Sequence, residues 1–180
     1  GTSLTDAEVV RSVYDLKDSN CSELQYLEDV KYADFGHDEY LNDSSFLSGM
    51  KSLEVLIISG SPIKDLSPLS QCKNLRILEI ANCGYITDLS PLEDCESLEM
   101  LNISHTKATE GLSALEERNI THLTAVGGIW NKISQEDRDA FQEDHPDCWI
   151  VTSGNEYGVG WRYEDKETKM EWYEKASEAF

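Results

Sequence analysis

Histidines, cysteines and paired carboxylates are the side chains of this sequence that could do chemistry, and their spacing argues against each in turn. Acids outnumber bases 35 to 15, so adjacent carboxylates such as Glu116-Glu117 and Glu143-Asp144 arise by chance and read as solvated surface, not as the acid and base of a glycosidase. His105 and His122 have no nucleophile or metal ligand that the sequence pattern would bring beside them. The five cysteines are an odd count, which excludes complete intramolecular pairing. There is no Cys-x-x-Cys and no histidine pair at helical spacing, the patterns a metal site would need. A phosphate-binding glycine loop, a Gly-x-Ser-x-Gly elbow and a His-Glu-x-x-His helix are all missing. The sequence therefore predicts no catalytic residue, no metal and no cofactor, and leaves surface recognition as the chemistry to look for.

The elements that would present such a surface are written as a leucine ladder. Leu53-x-x-Leu56-x-Ile58 recurs as Leu75-x-x-Leu78-x-Ile80, Leu98-x-x-Leu101-x-Ile103 and Ile120-x-x-Leu123-x-Ala125, at spacings of 22, 23 and 22 residues. Three residues after the first three rungs stand Ser61, Cys83 and Thr106, small side chains that can satisfy backbone groups where the chain turns off a strand. Gly84-Tyr85, standing where the preceding repeat has only Pro62, accounts for the extra residue. The links repeat too: Ile63-Lys64-Asp65-Leu66-Ser67-Pro68-Leu69 returns as Ile86-Thr87-Asp88-Leu89-Ser90-Pro91-Leu92. Asp and Ser there can bond a tight turn, and Pro admits a short helical turn while forbidding a long helix.

That link, followed by Asn74-Leu75-x-x-Leu78, resembles the short bacterial leucine-rich repeat of the internalin type over residues 47–126. The resemblance implies an α/β solenoid with a concave parallel β-sheet and short helical turns on its convex side, and a protein-binding role for the concave face. The length of 180 residues and apolar content of 39% suit one slender domain. A single coil buries too little to offset the cost of ordering its chain, so stability must come from stacking, with both ends covered.

Three segments are expected. Residues 1–26 form an amino-terminal helical cap, because Thr5 and Glu8 make a capping box inside a staple of Leu4 and Val9, and Val9, Val13 and Leu16 recur at helical spacing. Residues 27–152 carry the repeats, starting with an irregular rung, Leu27-x-x-Val30-x-Tyr32, and ending with a helix begun at Ser134, with Ala140 and Phe141 inward and a stop at His145-Pro146. The final strand is Cys148-Trp149-Ile150-Val151, with Cys148 inward. The stretch from Ile133 to Ile150 resembles the terminal repeat of several bacterial leucine-rich repeat proteins. Residues 153–180 are an aromatic tail, helical over 168–179 with Trp172, Tyr173 and Ala176 on one side, expected to cover the end of the stack. Gly160-Trp161-Arg162 resembles the end of some secreted repeat proteins of Gram-positive bacteria.

Strand side chains alternate between core and solvent, so the outward columns can be read from the register. One column runs Val55, Ile77, Met100, His122; the next runs Ile57, Glu79, Asn102, Thr124; a third runs Ser59, Ala81, Ser104, Val126. Trp149 and Val151 extend them if the last strand keeps register. Contiguous exposed apolar positions commonly mark a partner surface, although β-branched residues also simply suit strands, and a flanking segment could cover them. The expected binding face is the stripe Val55, Ile77 and Met100 with Ile57 beside it, rimmed by Arg76, Glu79, Glu99, Asn102, His122 and Thr124, with Trp149 at its carboxyl end.

Cys72 and Cys95 share one slot of successive links, where Met50 stands one repeat earlier, so the position calls for a medium-sized buried hydrophobe; a bridge between them is geometrically conceivable. The net charge of −20 argues against nucleic acid or an anionic membrane as partner, and no stretch approaches the roughly 18 apolar residues of a membrane span. A protein partner is expected, with self-association through the aromatic tail (Trp161, Trp172, Tyr173), or a targeting role within a larger surface protein, as the alternatives. The first residues do not read as a signal peptide, but Gly1 in place of Met is what a trimmed chain would show, so this says little about where the native protein lives. The resemblance points to the cell exterior or cell surface, while unpaired cysteines suit a reducing cytoplasm.

Overall fold

In the computed structural model, which describes residues 7–11 and 16–153, seven three-residue strands form one open parallel sheet in chain order. They are β1 (Val9–Arg11), β2 (Tyr32–Asp34), β3 (Val55–Ile57), β4 (Ile77–Glu79), β5 (Met100–Asn102), β6 (His122–Thr124) and β7 (Trp149–Val151). A parallel crossover that returns to the neighbouring strand each time is a coil. Its far side is made of short 3-10 turns at Ser22–Tyr26, Ser45–Gly49, Ser67–Gln71, Ser90–Asp94, Leu112–Leu115 and Trp130–Lys132.

The four rungs sit where the ladder places them: Leu56 pairs with Leu78, Leu78 with Leu101 and Leu101 with Leu123. Their inward residues join one continuous core with Ile63, Leu69, Ile86 and Leu92 from the links. The repeated Asp closes each link: Asp43, Asp65 and Asp88 accept a backbone hydrogen bond from Ser45, Ser67 and Ser90, each at 2.8 Å. The small ladder residues are buried and bonded to carbonyls. Ser61 Oγ donates to Phe35 O, Cys83 Sγ to Ile58 O and Thr106 Oγ1 to Ile103 O. One coil earlier the same slot holds Asp38, whose carboxylate accepts from Leu16 N at 2.9 Å.

The amino-terminal end differs from expectation. Where a helix is predicted from Thr5, residues 9–11 are strand β1, paired with Tyr32–Asp34. The β-branched pair Val9-Val10 finds a strand edge to join, and ladder hydrogen bonds with packing outweigh a local capping signal. The rest of the predicted helical face, Leu4, Thr5, Val13 and Tyr14, lies outside the described residues, apart from Leu16, which packs against the core. Coils therefore begin ahead of residue 27. The first rung is also shifted: Ala33 pairs with Leu56, so the rung is Val30-x-x-Ala33-x-Phe35, all fully buried, and Tyr32 faces the other way.

At the carboxyl end, Ser134 caps α1 (Gln135–Asp144) by accepting from Asp137 N. Phe141 is buried against Trp130, but Ala140 is exposed, since the helix turns only a narrow face to the stack. His145 ends the helix with its ring stacked on Phe141 at 4.4 Å and Nε2 3.0 Å from Arg118 O. In β7 the residue aligned with Leu123 is Ile150; Cys148, expected inward, precedes the strand and is half-buried against the core. All five cysteines are free, so Cys72 and Cys95 are stacked thiols without a bridge. Residues 154–180, including the predicted tail helix and the Gly-Trp-Arg run, lie outside the described residues.

Candidate functional site

The parallel register brings the predicted columns together as drawn and lengthens them. The first column is Val9, Tyr32, Val55, Ile77, Met100, His122 and Trp149, and the second is Arg11, Asp34, Ile57, Glu79, Asn102, Thr124 and Val151. Tyr32 and Asp34 were hidden from the sequence reading by the misplaced first rung. The signal that would have found them was present: Val30-x-x-Ala33-x-Phe35 lies 23 residues before Leu53-x-x-Leu56-x-Ile58, the spacing of the clean repeats.

The stripe departs from expectation in its accessibility. Val55, Ile57, Ile77 and Met100, read as solvent-facing, are 1–3% exposed and form with Tyr32 a second apolar cluster, separate from the core inside the coils. Glu79, Asn102 and Thr124 are buried as well. Openness survives at the carboxyl end, where Trp149 is 40% exposed and meets the His122 ring edge-on at 5.4 Å.

Polar groups of the face are organised by their neighbours along the sheet. Ser59 Oγ donates to Glu79 Oε1 at 2.8 Å, placing a buried carboxylate in the middle of the second column. Asn102 Oδ1 accepts from Ser104 N, and Ser104 Oγ accepts from Val126 N, so these side chains brace the turn that leaves the strand. Arg76 and Glu99 pair across β4 and β5 through two contacts of 3.3 Å at the rim. His122 Nδ1 lies 2.9 Å from Thr121 Oγ1, and the Arg11 guanidinium lies 4.9 Å above the Tyr32 ring. Besides these contacts, Tyr32, Arg76, Glu79, His122 and Trp149 are each engaged by a further hydrogen bond, ion pair or ring contact.

Nucleophilic chemistry finds no support among the described residues. Burial pushes the Cys72 and Cys83 thiols up to about 12 and those of Cys95 and Cys148 up to about 11, the opposite of what a reactive thiolate needs. His105, in a left-handed backbone conformation at the turn after β5, is not on the strand that carries His122. No group of three or more His, Cys, Asp or Glu side chains among the described residues could hold a metal ion, and no helix among them is long and apolar enough to cross a membrane.

Parallel strands recurring every 22 or 23 residues, linked by 3-10 turns and sealed by a ladder of small side chains, make this chain a leucine-rich repeat solenoid. Residues 51–94 match the family model described as Leucine Rich repeats (2 copies). Among solved structures the chain is similar to internalin C2 of Listeria monocytogenes, with 24% identity, a TM-score of 0.62, and coverage of 74% of this chain and 56% of that one. It is similar to a leucine-rich repeat protein of Leptospira interrogans (22% identity, TM-score 0.68, covering 82% and 37%). It is also similar to the functional domain of InlJ of Listeria monocytogenes, which includes a cysteine ladder (14% identity, TM-score 0.62, covering 84% and 40%). At these identities the likeness is one of fold, in agreement with the internalin-type resemblance of the repeat itself. The chain spans between about two fifths and three fifths of the length of these structures. No curated protein matches its sequence.

Proposed function

We propose that this chain is a non-catalytic protein-binding module that engages its partner with the concave face of the sheet. The observation that carries this reading is the second apolar cluster. Tyr32, Val55, Ile57, Ile77 and Met100 are large side chains on the face opposite the core, a position where a solenoid needs no hydrophobe for its own stacking. Aromatic and Met side chains bordered by polar groups are the composition of binding surfaces, and Arg76, Glu99, Asn102 and His122 supply the border here. Trp149, exposed at the open end beside His122, is the side chain best placed to make first contact. The acidic surface disfavours nucleic acid and anionic membrane and would speed the approach of a basic protein. The internalin-type resemblance supports a location outside the cell or at its surface.

The test is a parallel capture from host-cell and bacterial surface extracts with the unaltered chain, an Ile77→Asp/Met100→Asp variant and a Trp149→Ala variant, each checked by circular dichroism. A protein retained by the unaltered chain and lost by both variants supports the reading. Identical capture by all three assigns binding elsewhere.

A further inference from the structure

We propose that a row of side chains on the edge of the solenoid, separate from the concave face, is a docking site for a basic, proline-rich peptide segment in the polyproline II conformation.

The row stands where each link leaves its strand. The first inward residues of successive links, Leu41, Ile63, Ile86 and Ala108, are all fully buried, and the residues just before them are Tyr40, Pro62, Tyr85 and Lys107. Parallel bridges between Lys17 and Tyr40 and between Asp88 and Glu110 fix the register at both ends of the row. Tyr40 and Tyr85 are 71% and 63% exposed, the two most exposed large hydrophobic side chains among the described residues. Apolar side chains scattered singly over a surface need no explanation, whereas two aromatics in one row form a patch. Pro62, half-buried on the coil between them, is the floor of that patch. Lys107 Nζ stands over the Tyr85 ring at 6.0 Å from the coil beyond, which turns the opposite face of the ring back toward Pro62.

Spacing selects the conformation of the occupant. Two coils separate Tyr40 from Tyr85, about 9.6 Å at the usual strand spacing. A polyproline II helix advances about 9.3 Å per turn of three residues, so prolines at i and i+3 meet the two tyrosines in step. An α-helix brings back the same face after about 5.4 or 10.8 Å, and a strand after about 6.7 or 13.4 Å, so both fit less closely. Tyrosine also suits a polyproline II chain because its hydroxyl can donate to backbone carbonyls that no internal hydrogen bond occupies.

Charge selects its composition. Three residues further along each link comes a row of carboxylates, Asp43, Asp65, Asp88 and Glu110, and among the described residues none of the four forms a salt bridge. Asp43, Asp65 and Asp88 are held in place by the backbone N–H groups of Ser45, Ser67 and Ser90, so they present negative charge at fixed positions. Between the two rows stand Asn42, Lys64, Thr87 and Thr109. Arginines flanking the prolines would lie along the carboxylates, where charge-assisted bonds are strong, while Lys17 and Lys107 repel them from the ends of the tyrosine row. Proline on aromatic rings with arginine on acids is a known way of reading such segments.

The test is titration calorimetry of the full chain with a synthetic peptide carrying Arg-Pro-Ala-Ala-Pro-Arg. The expected result is one-to-one binding with a Kd of about 100 μM or tighter, weakened at least tenfold by Tyr40→Ala/Tyr85→Ala. Asp65→Asn/Asp88→Asn, which removes charge but keeps the acceptor that closes each turn, should weaken it at least fivefold. A peptide of the same composition with adjacent prolines, Arg-Ala-Pro-Pro-Ala-Arg, should bind at least ten times more weakly; this comparison uses the unaltered chain and so covers a variant that fails to fold. Trp149→Ala should leave the affinity within twofold, so the outcome is independent of binding at the concave face. Absence of binding at millimolar peptide would overturn the proposal, as would equal binding by the folded tyrosine variant or by the two peptides. So would loss on Trp149→Ala alone, which would seat the peptide on the concave face, or capture of a chito-oligosaccharide instead of the peptide, lost with Tyr40→Ala/Tyr85→Ala, which would make the row a sugar site.

Discussion

Gly111 carries a constraint that no other residue type satisfies. Its φ is +77°, and a Cβ there would stand 2.3 Å from Ser90 N and 2.4 Å from Asp88 Oδ1, inside the turn that Asp88 closes. Gly111→Ala should cost about 2 kcal/mol or more, because left-handed strain adds to a backbone clash. Gly84→Ala, at a position with open space, should change stability by less than about 0.5 kcal/mol. Urea unfolding of the two variants checks both, and similar losses would contradict this view of the turn. Two carboxylates invite a second residue-level test. Hydrogen bonds from Ser90 hold the Asp88 carboxyl below its ordinary 3.8, and the Asp43 and Asn42 backbone N–H groups do the same for Asp18, against a smaller opposing effect of burial. A depressed folded-state value means stabilisation that is present above pH 3.8 and lost as pH falls through the lower value. Thermal melts between pH 5 and 2 should therefore fall less steeply for Asp18→Ala/Asp88→Ala than for the unaltered chain. At this scale the sequence was legible wherever a side chain repeats: the roles of Asp65, Asp88, Ser61, Cys83 and Thr106 follow from their periodicity, whereas the strain at Gly111 depends on a neighbouring coil that spacing alone does not display.

Among elements, β3 to β6 could be placed residue by residue from the ladder, because three identical rungs leave no freedom of register. β1 could not. A capping box is local and visible, while the strand edge that captures Val9-Val10 is a tertiary partner 23 residues away. Leu27 misled in the same manner: it occupies the slot of Met50, Cys72 and Cys95 at the end of its 3-10 turn, and an apolar residue at a link looks like one on a rung. That shared slot predicts alkaline behaviour. Cys72 and Cys95 titrate near 12 and 11 when folded because they are buried, against 9.0 for a free thiol. A raised value means stability intact below pH 9 and lost as pH climbs toward the folded values. The melting temperature should drop between pH 9 and 11, and Cys72→Val/Cys95→Val should flatten the drop; an unchanged slope would show that other groups govern alkaline unfolding.

For the whole molecule, a solenoid separates what holds it together from what it offers. Core positions stack coil on coil, and the concave columns are the face proposed for recognition. Their order along the sheet was legible in the sequence; their burial was not, because periodicity assigns a side chain to a face but says nothing of what lies on that face. Binding at the concave face is tested most directly by the affinity of a captured partner for matched variants on the two sides of the coil. Trp149→Ala and His122→Ala alter the open end of the concave sheet, while Tyr40→Ala and Tyr85→Ala remove exposed aromatics from the loops beyond it. Trp149→Ala should weaken binding about thirtyfold, the effect of losing an aromatic anchor worth roughly 2 kcal/mol, with His122→Ala next and both tyrosine variants within twofold of the unaltered chain. Loss confined to the tyrosine variants would contradict binding at the concave face.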